Sequence, residues 1–172
     1  IITNLMGYLR FLPVRKLYQQ QIISLKEEQE IPPKKLVQQL AKIGYNRQSL
    51  VTKTAEFGER GFVVDVFPIG EDHPIRIEFF GDTIDSIRYF DEKNQRPLAA
   101  IKKIDIYPAT EILADCDIPT EKMQAKYLPL YTKVANIAAY LPDVVTIYKD
   151  IEQIKTSYYQ LQTEIMEYQQ SK

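Results

Sequence analysis

The chain has 172 residues, of which 45% are hydrophobic and 26% charged, and its formal net charge is −1. These proportions are typical of a soluble globular protein with one domain, or with one domain and part of another. The balanced charge argues against a general basic footprint for DNA or RNA, and a single cysteine excludes a disulfide framework and a thiolate metal site.

Targeting signals are absent from the sequence. No apolar run is long enough to cross a bilayer, and no signal-peptide pattern opens the chain, so we expect no membrane partner and a cytoplasmic location. The chain starts at the apolar Ile1, which predicts an excised piece of a larger protein. The only histidine, His73, precedes Pro74 in a turn and is expected to be solvent-exposed rather than a ligand or a catalytic group.

The first part of the chain predicts short elements and one clear helix. Residues 1–3 resemble the end of a strand, residues 5–11 a helical turn, and Pro13 stands where a further helix can begin. Residues 21–26 alternate weakly between apolar and polar. Two prolines precede a helix predicted over residues 34–43, which Gly44 ends, and residues 50–54 are predicted to form a strand. The buried stripe of that helix would be Leu36, Val37, Leu40 and Ile43.

The centre of the chain predicts a run of strands with short links, which favours an antiparallel meander. The strands are expected at residues 62–67, 75–80, 83–90 and 103–107. Gly81 and Asp82 between two of them predict a tight hairpin. The helix at 34–43 would cover one face of this sheet and leave the other face partly exposed.

The strand at 75–80 has an unusual outward face. Because alternate side chains share a face, Ile75, Ile77 and Phe79 should enter the core while Arg76, Glu78 and Phe80 point outward. A large aromatic beside an arginine on an outward face is the composition of a protein–protein hot spot.

The C-terminal part changes character after Pro108. Residues 115–124 are polar without a clear period, residues 128–140 have apolar residues at helical spacing, and residues 143–148 read as a short strand. A long helix is predicted over residues 151–169. Its apolar stripe, expected to be core or a docking face with coiled-coil assembly as an alternative, is Ile151, Ile154, Tyr158, Leu161, Ile165 and Tyr168.

Catalytic and cofactor motifs are missing. The chain has no glycine-rich phosphate loop, no usual metal-ligand set and no nucleophile elbow, so we expect neither catalysis nor a bound cofactor or metal. Four carboxylates surround one hairpin, but nothing apolar is placed to raise the pKa of any of them, so a solvated rim is the favoured interpretation. They are Asp82, Asp85, Asp91 and Glu92.

The block from residue 44 to residue 111 carries a specific set of motifs. They are EFGERG at 56–61, VDVFP at 64–68, RIEFFGD at 76–82, SIRYFD at 86–91 and QR at 95–96. This set resembles the domain shared by the bacterial transcription-repair coupling factor (Mfd) and the helicase-like excinuclease component UvrB. LRFLP at 9–13 and YLPD at 140–143 also resemble the coupling factor, so the likeness covers most of the chain.

The resemblance implies a domain that docks on the damage sensor UvrA in nucleotide excision repair. The family positions that bind the sensor correspond here to Arg60, Arg76 and Phe80, and the last two agree with the alternation argument. The resemblance also implies that the ATP- and Mg-dependent DNA translocase and the RNA polymerase contact belong to other parts of a parent protein.

The chain departs from the family at two places. The family usually has valine where this chain has Glu59, and a negative charge beside Arg60 is expected to weaken the pull on an acidic partner. The connection between Glu111 and Leu128 is shorter than in relatives, which implies either a lost helical arm or missing residues.

These observations predict an α+β chain with an antiparallel sheet covered by a helix, similar to domain 2 of UvrB. The UvrA-interaction domain would span residues 22–108, between pieces of an α/β lobe at 1–21 and 109–172. The expected function is recruitment of UvrA to stalled RNA polymerase without catalysis. Alternatives are an autoinhibitory module masked by other domains of the parent, a fragment of a UvrB homologue, a nucleic-acid-binding sheet, and a hydrolase that uses the hairpin carboxylates.

Overall fold

The computed structural model describes residues 2–114, 116, 123–141, 143 and 145–170, without the side chains of 168–170. In chain order the described helices and strands are α1 (Leu5–Leu9), β1 (Leu12–Pro13), α2 (Arg15–Gln20), β2 (Ile23–Lys26), α3 (Pro33–Lys42), β3 (Asn46–Arg47), β4 (Glu56–Arg60), β5 (Val63–Val66), β6 (Ile75–Phe80), β7 (Thr83–Phe90), β8 (Pro97–Ala100), β9 (Lys103–Ile106), the 3-10 helix Ala125–Leu130, β10 (Val134–Ala135), the 3-10 helix Ile137–Tyr140 and α4 (Ile151–Gln170).

The main sheet has six strands in the order β3-β4-β5-β6-β7-β8. From β4 to β8 every neighbouring pair is antiparallel, and only the two-residue β3 runs parallel to β4. The meander and the α+β class expected from the short links are therefore confirmed. One extra residue in β7 shifts the register opposite Glu78 and Phe79, so Glu78 faces Ser86 while Phe79 faces Ile84.

Helix α3 and one face of the main sheet enclose the core. Leu36 and Leu40 on α3 are fully buried, as the apolar stripe predicts, and the helix begins at a proline and stops before Gly44, which has a φ of +93°. Burying each such leucine contributes about 1.5–3 kcal/mol relative to leaving it in water. The core side chains that the sheet supplies include Phe57, Val64, Val66, Ile75, Ile77, Phe79, Ile84 and Ile87.

Strand β9 does not extend the meander, contrary to the expectation from chain order. It pairs antiparallel with β2 in a separate two-stranded ladder, in which Ile23 faces Ile106 and Leu25 faces Ile104. Each strand alternates apolar and polar residues, and its apolar side chains, Ile23 and Leu25 on β2 and Ile104 and Ile106 on β9, add to the main core. Because β2 precedes the six-stranded sheet in the sequence and β9 follows it, this ladder joins the two chain segments that flank the sheet.

Residues 50–54 form no strand, so that prediction is wrong. Val51 is buried there, but its segment is an irregular loop. The carboxylate of Glu56 accepts hydrogen bonds from the backbone nitrogens of Thr52 and Lys53 at 2.9 and 2.8 Å, which folds the loop back on itself. Strand β4, which contains a glycine and three charged residues, and the short β3 and β8 were not predicted.

Residues 128–140, which lie outside the main sheet, do not form the continuous α-helix that their apolar spacing favours. Two 3-10 helices flank β10 there, and Pro129 lies inside the first of them, where a proline disfavours a continuous α-helix. Residues 2–3, 143 and 145–148 belong to no strand, so those strand predictions are wrong for the described residues. Ile1, Val144 and most of the polar segment 115–124 lie outside the described residues.

The long C-terminal helix is confirmed as α4. Its predicted stripe is covered only in part: Ile154 and Leu161 are half-buried, whereas Ile151, Tyr158 and Ile165 are exposed. Over the part of the chain that is described, none of the helices combines the length and apolarity needed to span a membrane.

Candidate functional site

The side chains on the two faces of β6 differ in burial. Ile75, Ile77 and Phe79 are buried against α3, whereas Phe80 at the end of the strand is 83% exposed. This difference follows from the two-residue alternation of a strand. Arg76, Glu78 and Phe80 therefore lie on the face of the main sheet that points away from α3, which we call the outer face.

A buried carboxylate joins the two candidate arginines. Asp65 on β5 lies directly opposite Arg76 on β6 and is only 4% exposed. Its Oδ1 accepts a hydrogen bond from Nε of Arg76 at 2.7 Å, and its Oδ2 accepts bonds from Nη2 of Arg76 and Nη2 of Arg60, each at 2.8 Å. Two cations share one anion, so the group of three keeps a net charge of +1.

The guanidinium of Arg76 is fixed from several sides. Its Nη2 also donates to the amide oxygen of Gln95 at 3.3 Å, and its Cζ lies 4.6 Å from the centre of the Phe90 ring. The hydrogen bonds to Asp65 raise the pKa of Arg76, against a smaller opposite effect of burial. Arg76 is therefore held in one geometry, while the Arg60 side chain is 56% exposed.

A small second core supports one end of the outer face. Phe90, Phe67 and Val51 form a buried cluster separate from the main core. The loop that carries Val51 lies close to the sheet at Gly58, where an added Cβ would be 2.9 Å from the backbone oxygen of Gln48. The loop thus covers this end of the outer face and fixes the ring on which Arg76 rests.

The other end of the outer face is open. Phe80 closes a two-residue hairpin turn made by Gly81 and Asp82, and the neighbouring turn between β4 and β5 consists of Gly61 and Phe62. Both glycines have positive φ, +61° and +62°, as a tight hairpin turn requires at its first position. Phe62 is 64% exposed, so two large aromatic side chains lie in solvent at one end of the sheet.

The charge of Glu59 is directed away from the candidate arginines. Glu59 pairs with Val64 in register, which puts it on the opposite face from Arg60, and its Oε2 accepts a bond from Arg47 at 2.9 Å. Glu78, which does lie on the outer face, is paired with Arg88 and accepts a bond from Ser86 at 3.1 Å. Neither carboxylate takes a bond from Arg60 or Arg76.

Two of the four hairpin carboxylates, Asp91 and Glu92, have lowered pKa values. The backbone nitrogens of Asn94 and Lys93 donate to Asp91, and these bonds lower the pKa of Asp91. A backbone hydrogen bond and the neighbouring His73 lower the pKa of Glu92. A general acid needs a raised carboxyl pKa, so the lowered pKa values of Asp91 and Glu92 argue against that role for these two residues. Within the described segments no group of three potential metal ligands occurs.

Two residues of this site were not identified from the sequence. Asp65 could have been found, because the alternation Val64-Asp65-Val66 places a carboxylate on the outer face. Phe90 gave no signal, because its position under Arg76 depends on the loop around Val51.

Comparison with known proteins identifies the family. The family model of the UvrB interaction domain matches residues 23–112. The transcription-repair-coupling factor of Bacillus subtilis (strain 168) is 30% identical over 125 residues, which are 73% of this chain and 10% of that protein. The factor of Myxococcus xanthus is 46% identical over 78 residues, 45% of this chain and 6% of that protein.

A UvrABC system protein B is similar to the same degree. The protein from Pseudothermotoga lettingae is 44% identical over 91 residues, 53% of this chain and 14% of that protein. The chain therefore spans only a small part of the length of these curated relatives. The likeness to the region shared by the coupling factor and UvrB, expected from the sequence motifs, is confirmed. The chain belongs to the UvrB interaction domain family.

Proposed function

We propose that this chain is a non-catalytic protein-binding module that docks on UvrA through the outer face of the main sheet. Phe80 would enter an apolar pocket of the partner, and Arg60 and Arg76 would contact carboxylates around it. The observation that carries the proposal is Phe80, which is 83% exposed on the same sheet face as the two guanidinium groups that Asp65 binds. Aromatic and arginine side chains of this kind dominate the binding energy of protein interfaces.

The electrostatics of the face favour an acidic partner. Arg60 and Arg76 together carry two positive charges, and Asp65 neutralises one of them. Arginine suits a carboxylate partner because its planar group can donate two parallel hydrogen bonds. Asp65 already orders both arginine side chains, so little further side-chain conformational entropy is lost when a partner binds.

The same proposal extends to the parent protein. As part of a transcription-repair coupling factor, the module would recruit UvrA to RNA polymerase stalled at a lesion, in nucleotide excision repair in the cytoplasm. The module would occupy residues 22–108, and residues 1–21 and 109–172 would belong to a neighbouring lobe. ATP, Mg, DNA and polymerase would be bound by other parts of the parent, and this chain would itself need no cofactor.

A titration of the chain against purified UvrA tests the proposal. We expect Phe80→Ala to cost about 2 kcal/mol or more, which is roughly a thirtyfold increase in Kd. Phe11→Ala is the matched control, because Phe11 is also exposed but lies outside the matched family region. Unfolding by urea should show that both variants are folded.

A comparison of two similar arginines, Arg60 and Arg47, distinguishes a specific contact with UvrA from a general effect of positive charge. Arg60 and Arg47 each make one ion pair, at 2.8 and 2.9 Å, and both are more than half exposed, but Arg47 is bound to a carboxylate on the opposite face. We expect Arg60→Ala to weaken UvrA binding and Arg47→Ala to leave it unchanged. Equal effects of the two changes, or no binding by the folded wild-type chain, would overturn the proposal.

A further inference from the structure

We propose that Gln95 is a positioning residue of the docking surface: together with Asp65, its side-chain amide holds the guanidinium of Arg76 so that only Nη1 is left for the partner. This inference rests on the proposed function and deepens it, because it names the atom through which Arg76 would meet UvrA. Gln95 lies in the connection between β7 and β8, outside the two strands that carry the three expected contact residues.

The hydrogen bonds of Arg76 use three of the five N–H groups of its guanidinium. Nε donates to Oδ1 of Asp65, and the two hydrogens of Nη2 go to Oδ2 of Asp65 at 2.8 Å and to Oε1 of Gln95 at 3.3 Å. Within the described residues Nη1 donates to no acceptor. The side chain is only 18% exposed, so each bonded N–H group limits what Arg76 can offer a partner.

Gln95 supplies an acceptor that Asp65 alone does not. Oδ2 of Asp65 also accepts a bond from Nη2 of Arg60 at 2.8 Å, so two guanidinium groups compete for this oxygen. Oε1 of Gln95 gives Nη2 of Arg76 a second partner. With the ring of Phe90 4.6 Å from Cζ, three different side chains then contact the guanidinium of Arg76.

The amide of Gln95 is itself held by its loop. Nε2 donates to the backbone oxygen of Glu92 at 3.1 Å, and the backbone nitrogen of Gln95 donates to the backbone oxygen of Asp91 at 2.8 Å. Because arginine has only donors, the amide oxygen and not the nitrogen must face Arg76. The acceptor for Arg76 is therefore carried on a closed turn, in an orientation that the bond to Glu92 fixes.

The backbone conformation at position 95 favours other residue types. Gln95 has a φ of +62°, in the left-handed region that glycine and asparagine adopt readily and that other residues rarely adopt. The loop has other bonds to close it, because the side chains of Asp91 and Asn94 accept hydrogen bonds from three of its backbone nitrogens. A strained residue of this kind points to a functional contact, and the contact that the structure shows is the one with Arg76.

The test compares the Kd of purified UvrA for the wild-type chain, Gln95→Gly and Ala55→Gly. The two variants are matched, because each replaces a residue of left-handed φ, +62° and +67°, by glycine, which adopts that conformation without strain. Ala55 has no side-chain group that could bind Arg76. We expect Gln95→Gly to raise Kd about three- to tenfold, the effect of one lost hydrogen bond, and Ala55→Gly to leave Kd unchanged. Urea unfolding should show that both variants are folded.

A double-mutant cycle shows whether Gln95 acts through Arg76. In an Arg76→Ala background no guanidinium is left to position, so Gln95→Gly should then change Kd by less than about twofold. The same weakening in both backgrounds would overturn the positioning role. If Gln95→Gly unfolds, Gln95→Asn replaces it with the same expected results, because asparagine tolerates the left-handed φ but its amide is one methylene shorter.

The outcomes distinguish the two proposals. A Kd of Gln95→Gly at or below the wild-type value, together with weak binding of Arg76→Ala, would overturn the role of Gln95 and leave the proposed function in place. Failure of the folded wild-type chain to bind UvrA would overturn both.

Discussion

Arg76 is bound by Asp65 through two parallel hydrogen bonds, from Nε to Oδ1 at 2.7 Å and from Nη2 to Oδ2 at 2.8 Å. The two residues face each other across β5 and β6, and the carboxylate is almost completely buried. A bidentate pair of this kind fixes the guanidinium in position and orientation. From the sequence, Arg76 was expected to bind a carboxylate of a partner protein. In the structure its guanidinium is already bound by Asp65 of the same chain.

Asp65→Asn should destabilise the fold. Removing one member of a largely buried ion pair leaves the other charge uncompensated, so we expect a loss of about 2–4 kcal/mol in the free energy of unfolding. Equilibrium unfolding in urea measures this. Glu59→Gln is the control, because its partner Arg47 is exposed and the pair is worth about 1 kcal/mol or less. Equal losses for the two variants would contradict the structural role of Asp65.

Truncation of two adjacent phenylalanines, Phe79 and Phe80, should change folding stability by very different amounts. Phe79 is 7% exposed in the main core, so Phe79→Ala should cost about 3–5 kcal/mol of folding stability. Phe80→Ala should change folding stability by about 0.5 kcal/mol or less, because the side chain is already in water. Urea unfolding of both variants is the measurement. A folding loss of about 3 kcal/mol for Phe80→Ala would mean that Phe80 is a core residue.

Glu56 should be needed to hold the loop that carries Val51. Its Oε2 accepts bonds from Thr52 and Lys53, so Glu56→Ala leaves both donors without this partner and should cost about 1–3 kcal/mol. Glu56→Gln keeps an oxygen acceptor and should restore most of the stability. Amide hydrogen exchange at Thr52 and Lys53 gives a local readout. Unchanged exchange in Glu56→Ala would show that these bonds do not fix the loop.

The fold should lose stability at alkaline pH. Burial raises the pKa of Tyr45 to about 12, above its ordinary value of 10.0, while its hydroxyl donates to the backbone oxygen of Tyr107 at 3.0 Å. A raised folded-state pKa contributes stability that is complete below pH 10 and is lost as the pH rises towards 12, by about 1–3 kcal/mol in total. Unfolding free energies measured from pH 8 to pH 11 should therefore fall.

Single tyrosine variants assign this pH dependence. Tyr45→Phe should be less stable at pH 8, because it loses its hydrogen bonds, and should show a smaller fall up to pH 11. Tyr89, whose pKa burial also raises to about 12, accounts for part of the remaining slope. Tyr159→Phe, at an exposed position on α4, is the control and should keep the wild-type slope. A wild-type slope in Tyr45→Phe would contradict the assignment.

Much of the candidate site could be read from one strand of the sequence. The alternation along residues 75–80 separates Phe79 from Phe80, because a strand has only two faces and one of them must be apolar to meet α3. The neighbours of Arg76 could not be read in this way. Asp65 is 11 positions away and Phe90 14, and their contacts depend on which strands pair and in which register.

The sequence by itself determined the elements whose signal is local: α3 with its leucines and its glycine stop, β6 and β7 with the tight turn at Gly81, and α4. Only the tertiary structure decided that β9 pairs with β2, that the segment around Val51 is a loop and that one carboxylate binds both arginines. The physical reason is the range of the interactions. Periodicity and turn chemistry act within a few residues, whereas strand pairing and buried ion pairs are chosen by the free energy of the whole packed domain.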